Sequence, residues 1–160
     1  MLAAVDVRWW KYLHVIGAFG FIMAHGVSMT VALRLRKERD RTKIAELLQF
    51  SGSSILWMYL SLGWLLLFAV VSATANKYWG QKWIWYSLGI LVALIGEMSA
   101  VARPYYQRVK EAVEIRPSGV PRKSDEELDL LLRSKTALAN TAIGFVGLLA
   151  IVYLMIFKPL

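Results

Sequence analysis

The stretch Ser54–Thr74, SILWMYLSLGWLLLFAVVSAT, decides the fold. It holds no charged residue and almost no polar face. A water-soluble helix of this length would need a polar side to present to solvent. A helix crossing a bilayer core needs about 20 consecutive apolar residues, and this stretch supplies them. Three more runs read the same way: Trp9 to about Leu35, Trp83 to Ala102, and Thr136 to Phe157. The composition agrees. Of 160 residues 58% are hydrophobic, and the mean hydropathy is +0.48, above the usual share of a soluble domain. The expected fold is all-α: a polytopic four-transmembrane-helix bundle, one domain over residues 1–160. The first run is too long for the apolar region of a signal peptide, and further spans follow it, so it reads as a retained helix. No internal repeat or low-complexity segment stands out.

The basic residues orient the bundle. Arg34, Arg36, Lys37, Arg39, Arg41 and Lys43 follow span one. Arg103, Arg108, Lys110, Arg116, Arg122, Lys123, Arg133 and Lys135 lie between spans three and four. Only Arg8, Lys11, Lys77, Lys82 and Lys158 fall on the opposite side. The positive-inside rule then places both termini outside and both basic loops in the cytoplasm, in a cell membrane. Trp9, Trp10 and Tyr12, with Tyr78, Trp79, Trp83, Trp85 and Tyr86, would form the aromatic belt of the outer face. This topology, with attraction to anionic lipid headgroups, accounts for the net charge of +8. Neither basic loop contains a nucleic-acid-binding module, so membrane lipid is the expected partner and nucleic acid is not. The absence of cysteine excludes disulfides, thiolate metal ligands and cysteine-attached haem.

The loop segments carry their own helical signals. Ile44, Leu47 and Leu48 give Arg34–Phe50 an amphipathic pattern. Span three is expected to continue past Pro104 to Lys110. Ile115–Pro121 is a breaker cluster. Ser124 and Glu127 form a capping-box pair, which predicts a helix from Asp125 through Arg133 into span four.

Chemistry is concentrated in span one. The chain's two histidines, His14 and His25, are eleven residues apart, so both leave the helix on nearly the same face, about 16 Å apart along its axis. An ionisable residue at membrane depth is a functional candidate by default. Gly17, Ala18, Gly20 and Ala24 lie between them, and Gly26 follows. Small residues there either let helices pack closely or clear space for a flat ring, in which case His14, His25, Gly17, Ala18 and Phe21 are the expected cofactor-binding residues. Gly89, Gly96, Gly144 and Gly147 serve the other spans. Glu97 is an intramembrane acid, expected to be protonated or paired with Arg103 or a histidine; Arg103 is six residues on along the same helix, so a partner on another helix is easier. Asn140 lies early in span four. No nucleophile elbow, phosphate loop, zinc-protease motif or dinucleotide fingerprint occurs, so whether the protein is an enzyme stays open.

The run Tyr12-Leu13-His14-Val15-Ile16-Gly17-Ala18 resembles the first-helix opening of a group of bacterial membrane proteins. The group comprises the copper-resistance D type, the HemJ-type protoporphyrinogen oxidases, and a related family of predicted integral membrane proteins without assigned function, which the chain resembles most. The resemblance extends through His25-Gly26-Val27-Ser28 and the Arg34–Arg39 stretch into span three. It implies haem b, with the HemJ-type ligand falling on His14; in place of that group's downstream Pro-Arg-Leu pattern stands Arg34-Leu35-Arg36. His14 and His25 are too far apart to share one iron. Each haem would take a second, non-histidine ligand such as a methionine, or two copies would face each other as a homodimer with two stacked haems. The leading expectation is a haem-b-binding or haem-handling membrane protein with a redox role. The alternatives are an accessory or assembly subunit of a larger membrane complex, and a small proton-coupled transporter using His25 and Glu97.

Overall fold

The structure is a computed structural model and describes residues 6–159. Helix α1 spans Val7–Leu35, capped by the Asp6 carboxylate, which accepts from the Arg8 amide. Helix α2 spans Arg41–Ala75, and Asp40 caps it by accepting from Thr42 and Lys43. Its loop-side portion thus joins span two as one uninterrupted rod, and the break from α1 is confined to residues 36–40. Asn76 closes α2 by donating to the Ser72 carbonyl. Lys77 then takes a left-handed conformation, and a short 3-10 turn, Tyr78–Gly80, leads into α3 at Lys82–Glu97.

A π-helical turn, Met98–Ala102, follows without interruption and passes into α4, Arg103–Val113. Pro104 explains the widened turn. It has no amide hydrogen and its ring crowds the carbonyl of Ala100, so the regular bonding ladder cannot run past it. The expected extension past Pro104 is present. Ser124 and Glu127 form the reciprocal capping box that opens α5, Asp125–Arg133. The expectation of one helix from Asp125 into span four is corrected here: Ser134 is extended, with ψ 150°, and α6 begins afresh at Lys135 and runs to Phe157. The Arg36 guanidinium donates to the Ser134 carbonyl, which leaves that group outside either helix.

Four rods are long and apolar enough to cross a membrane: Val7–Leu35, Arg41–Ala75, Lys82–Val113 and Asp125–Phe157. Helix α1 lies along α2, and α3 along α6. Gly17 sits on the α2 backbone; a Cβ there would come within 2.8 Å of the Leu65 Cα. Gly20 meets the Ser61 hydroxyl, and Gly147 receives the Leu94 side chain. The Trp64 indole ties the two first helices by donating to the Leu13 carbonyl at 3.0 Å.

Three apolar clusters stack along the bundle. At the basic end, Val31, Leu35, Ile44, Tyr105, Val109, Val113, Leu128 and Leu132 close a core among α1, α2, α4 and α5. At mid-height, Phe21, Ala24 and Met58 pack with Leu62, Leu65, Met98 and Leu148. At the end carrying the termini, Ala73, Trp83 and Ile84 pack with Tyr78 and Leu154, and the Lys158 ammonium lies 4.7 Å from the Tyr78 ring centre.

Candidate functional site

His14 is half-buried, and its Nδ1 lies 3.0 Å from the Leu65 carbonyl oxygen of α2. A carbonyl only accepts, so Nδ1 carries the proton and donates; Nε2 is left with its lone pair. No hydrogen bond among the described residues occupies Nε2. This is the arrangement in which a histidine is oriented through one nitrogen and offers the other as a ligand. Gly17 is buried three residues on, but the clearance it makes is filled by α2 rather than left open. Ala18 is half-buried.

His25 has a different environment. It is 8% exposed, and its ring lies parallel to Phe21, one turn earlier, at 5.8 Å between centres and 10° between planes. Its Nε2 faces Gly144 of α6, where a Cβ would stand 3.1 Å away. Its Nδ1 is enclosed and has no hydrogen-bond partner. Of the two histidines, His14 is the one whose free nitrogen fits an iron ligand, whereas the His25 ring is packed between Phe21 and Gly144 of α6.

Glu97 ends α3, immediately before the π turn. With the Asn140 amide turned so that its nitrogen meets acceptors, that nitrogen donates to Glu97 Oε1 at 2.7 Å and to the Thr136 carbonyl at 3.2 Å. Arg103 is exposed and forms no ion pair among the described residues, and the partner placed beside Glu97 is Asn140, on another helix. Asn140 and Gly144 are four residues apart on one face of α6, so Glu97 and His25 touch the same short stretch of that helix. Among the described residues, no group of three or more His, Asp or Glu side chains is placed to hold a metal ion.

The family of predicted integral membrane proteins designated DUF2269 matches residues 9–159, nearly the whole chain. The chain belongs to that family. Comparison with curated proteins finds no match, and comparison with solved structures finds none either. Family membership makes the protein an integral membrane protein and agrees with the four apolar rods. It names neither the copper-resistance D type nor the HemJ type, so any haem assignment rests on the residues themselves.

The Leu65 carbonyl and Gly144 were not legible as partners of the histidines. A backbone acceptor leaves no mark on sequence, and Gly144 reads as one packing glycine among several. One signal was present in α2: Ser54, Ser61 and Ser72 are seven and eleven residues apart, which returns each to nearly the same face. That face is turned inward, since Ser54 and Ser72 are buried and Ser61 meets Gly20.

Proposed function

We propose that this membrane protein binds haem b through His14, with both termini on the outer side of the cell membrane and the basic loops in the cytoplasm. The observation that carries the reading is the bond from His14 Nδ1–H to the Leu65 carbonyl. It holds the ring and leaves the Nε2 lone pair free to serve as a ligand atom. The resemblance of Tyr12–Ala18 to the first helix of the HemJ type supports the same histidine. Bound haem b would supply one-electron chemistry.

The chain's own contribution is positional. Leu65 and Trp64 lock the register of α1 on α2 at the level of His14. Val15, Ile16 and Phe19 leave the neighbouring surface of α1 apolar and open to lipid or a second copy. His14 lies about 10 Å along α1 from its first residue, near the end that carries the termini. In a twofold dimer, His14 of another copy would serve as the second residue holding the group.

The test is the absorption spectrum of the purified protein in detergent, oxidised and reduced, with and without added haem. A Soret band that His14→Ala removes is the expected result. Folded wild-type protein without a Soret band, even after haem addition, would refute the reading and favour an accessory or assembly subunit, for which co-purifying membrane partners would be sought.

A further inference from the structure

A groove of 350 Å³ runs between α1 and α2 near the basic end. Gly26, Thr30, Val31 and Arg34 line it on α1, and Leu47 and Phe50 on α2. The α1 residues recur at spacings of three and four, so they share one face. Gly26 and Arg34 stand about 12 Å apart along the helix axis. Thr30, Arg34 and Phe50 are exposed, so the groove lies on the outside of the bundle.

Gly26 marks the deep end. A Cβ there would meet nothing within 4 Å, in contrast to Gly17 and Gly20, which lie against α2. The helices are nevertheless joined at this level, because the Ser51 hydroxyl donates to the Ser28 hydroxyl at 3.3 Å. The Thr30 hydroxyl donates back to the Gly26 carbonyl at 2.9 Å, so its proton is already used. Val31, Leu47 and Phe50 complete an apolar wall.

Arg34 marks the other end. Its side chain makes no hydrogen bond or ion pair among the described residues, whereas Arg36, Arg39 and Arg41 are all engaged elsewhere. The nearest acids along the chain, Glu38 and Glu46, do not pair with it. About 30 Å of hydrocarbon counted from Trp9 reaches the level of Thr30, at 1.5 Å per residue. Arg34 is one turn further, where lipid headgroups begin. In an integral membrane protein, an outward apolar groove at this depth is filled by lipid chains.

We infer that the α1–α2 groove is a binding site for one anionic phospholipid of the leaflet at the basic end. An acyl chain lies along Val31, Leu47 and Phe50 with its end toward Gly26, and the headgroup phosphate meets the Arg34 guanidinium. A guanidinium presents a planar fork of donors that matches phosphate oxygens. Basic pockets between spans at such a level select anionic headgroups. This goes beyond a general attraction of the basic loops, because it assigns one site with a charged end and an apolar end. It is independent of the haem reading, since His14 lies toward the other end of α1.

The experiment is native mass spectrometry of the full chain in detergent, titrated separately with phosphatidylglycerol and phosphatidylcholine of identical acyl chains. The first phosphatidylglycerol should bind about fivefold more tightly than the first phosphatidylcholine, the worth of one cation near the membrane surface. Arg34→Gln should remove that preference. Arg116→Gln, which makes the same charge change in a distant loop, should retain it. Gly26→Leu should remove the tight first event, because the added side chain fills the groove without meeting another helix. Both altered positions are free of interhelical contacts, and unchanged thermal unfolding of the delipidated variants checks that they fold. Equal binding of the two lipids by the wild type would overturn the site. So would an equal loss in Arg116→Gln, which would reduce the effect to general surface charge, or displacement of the lipid by millimolar inorganic phosphate. Dimers that disappear in Gly26→Leu while no lipid is bound would give the groove to a second copy instead.

Discussion

The two halves of the bundle are held by different means. At the basic end, Leu35, Ile44, Val109 and Leu132 are almost fully enclosed, and ion pairs stitch the helices together. Arg41 alone donates to Asp125, to the Ala112 carbonyl and to the Lys123 carbonyl, at 2.7–2.8 Å. At mid-height the enclosed apolar side chains are few, and large ones such as Trp57, Leu60 and Leu67 face outward. The solvent explains the contrast. Water drives apolar groups together at the basic end. Lipid exerts no such drive, so the spans rely on close backbone approach at Gly17, Gly20 and Gly147 and on a few interhelical hydrogen bonds. Polar groups therefore matter most where the apolar core is thinnest, and that is where the histidines lie.

Substitution should separate the two regimes. The largest effect is expected for Leu132→Ala, which empties part of the basic-end core and should cost about 2–5 kcal/mol. The equivalent Leu67→Ala, at an outward position, should change stability far less. Equal losses in unfolding titrations of the two variants would erase the distinction. Arg41→Met should follow, at about 2–3 kcal/mol, because it strands two carbonyls of the α4–α5 region as well as removing a charge-assisted pair. By comparison, Lys123→Ala removes only an exposed i,i+4 pair with Glu127 and should cost about 0.5 kcal/mol or less.

Within the spans, Gly17→Ala should cost about 1–3 kcal/mol, because the added methyl meets the Leu65 backbone, which cannot swing away. Gly63→Ala meets nothing within 4 Å, so it should be neutral or stabilise by about 0.5–1 kcal/mol through helix propensity. A smaller penalty at Gly17 than at Gly63 would show that α1 does not lie on α2 as described. Single cysteines at Asn76 and Ser118 should label from opposite sides of the membrane, Asn76 from outside; labelling of both from one face would break the four-span arrangement.

Much of this contrast was legible in the chain. Ser54–Thr74 and the three similar runs identified the spans because membrane thickness imposes a length and a composition that few soluble helices share. The Ser124–Glu127 capping box was legible because its chemistry is local. The break at Ser134 was not, and the Arg36 side chain that donates to its carbonyl comes from a distant part of the sequence. The candidate site was half legible. His14, His25, Glu97 and Asn140 stood out as polar residues in apolar runs, but their partners were set by helix packing. The common face of His14 and His25 suggested equivalent roles, yet α2 reaches one and α6 the other.

That division of roles between the histidines is the central claim, and haem titration of two variants tests it most directly. With haem added in detergent, His25→Ala should retain the Soret band and the reduced spectrum of the wild type, whereas His14→Ala should lose both. Loss of the bands in His25→Ala with retention in His14→Ala would contradict the account.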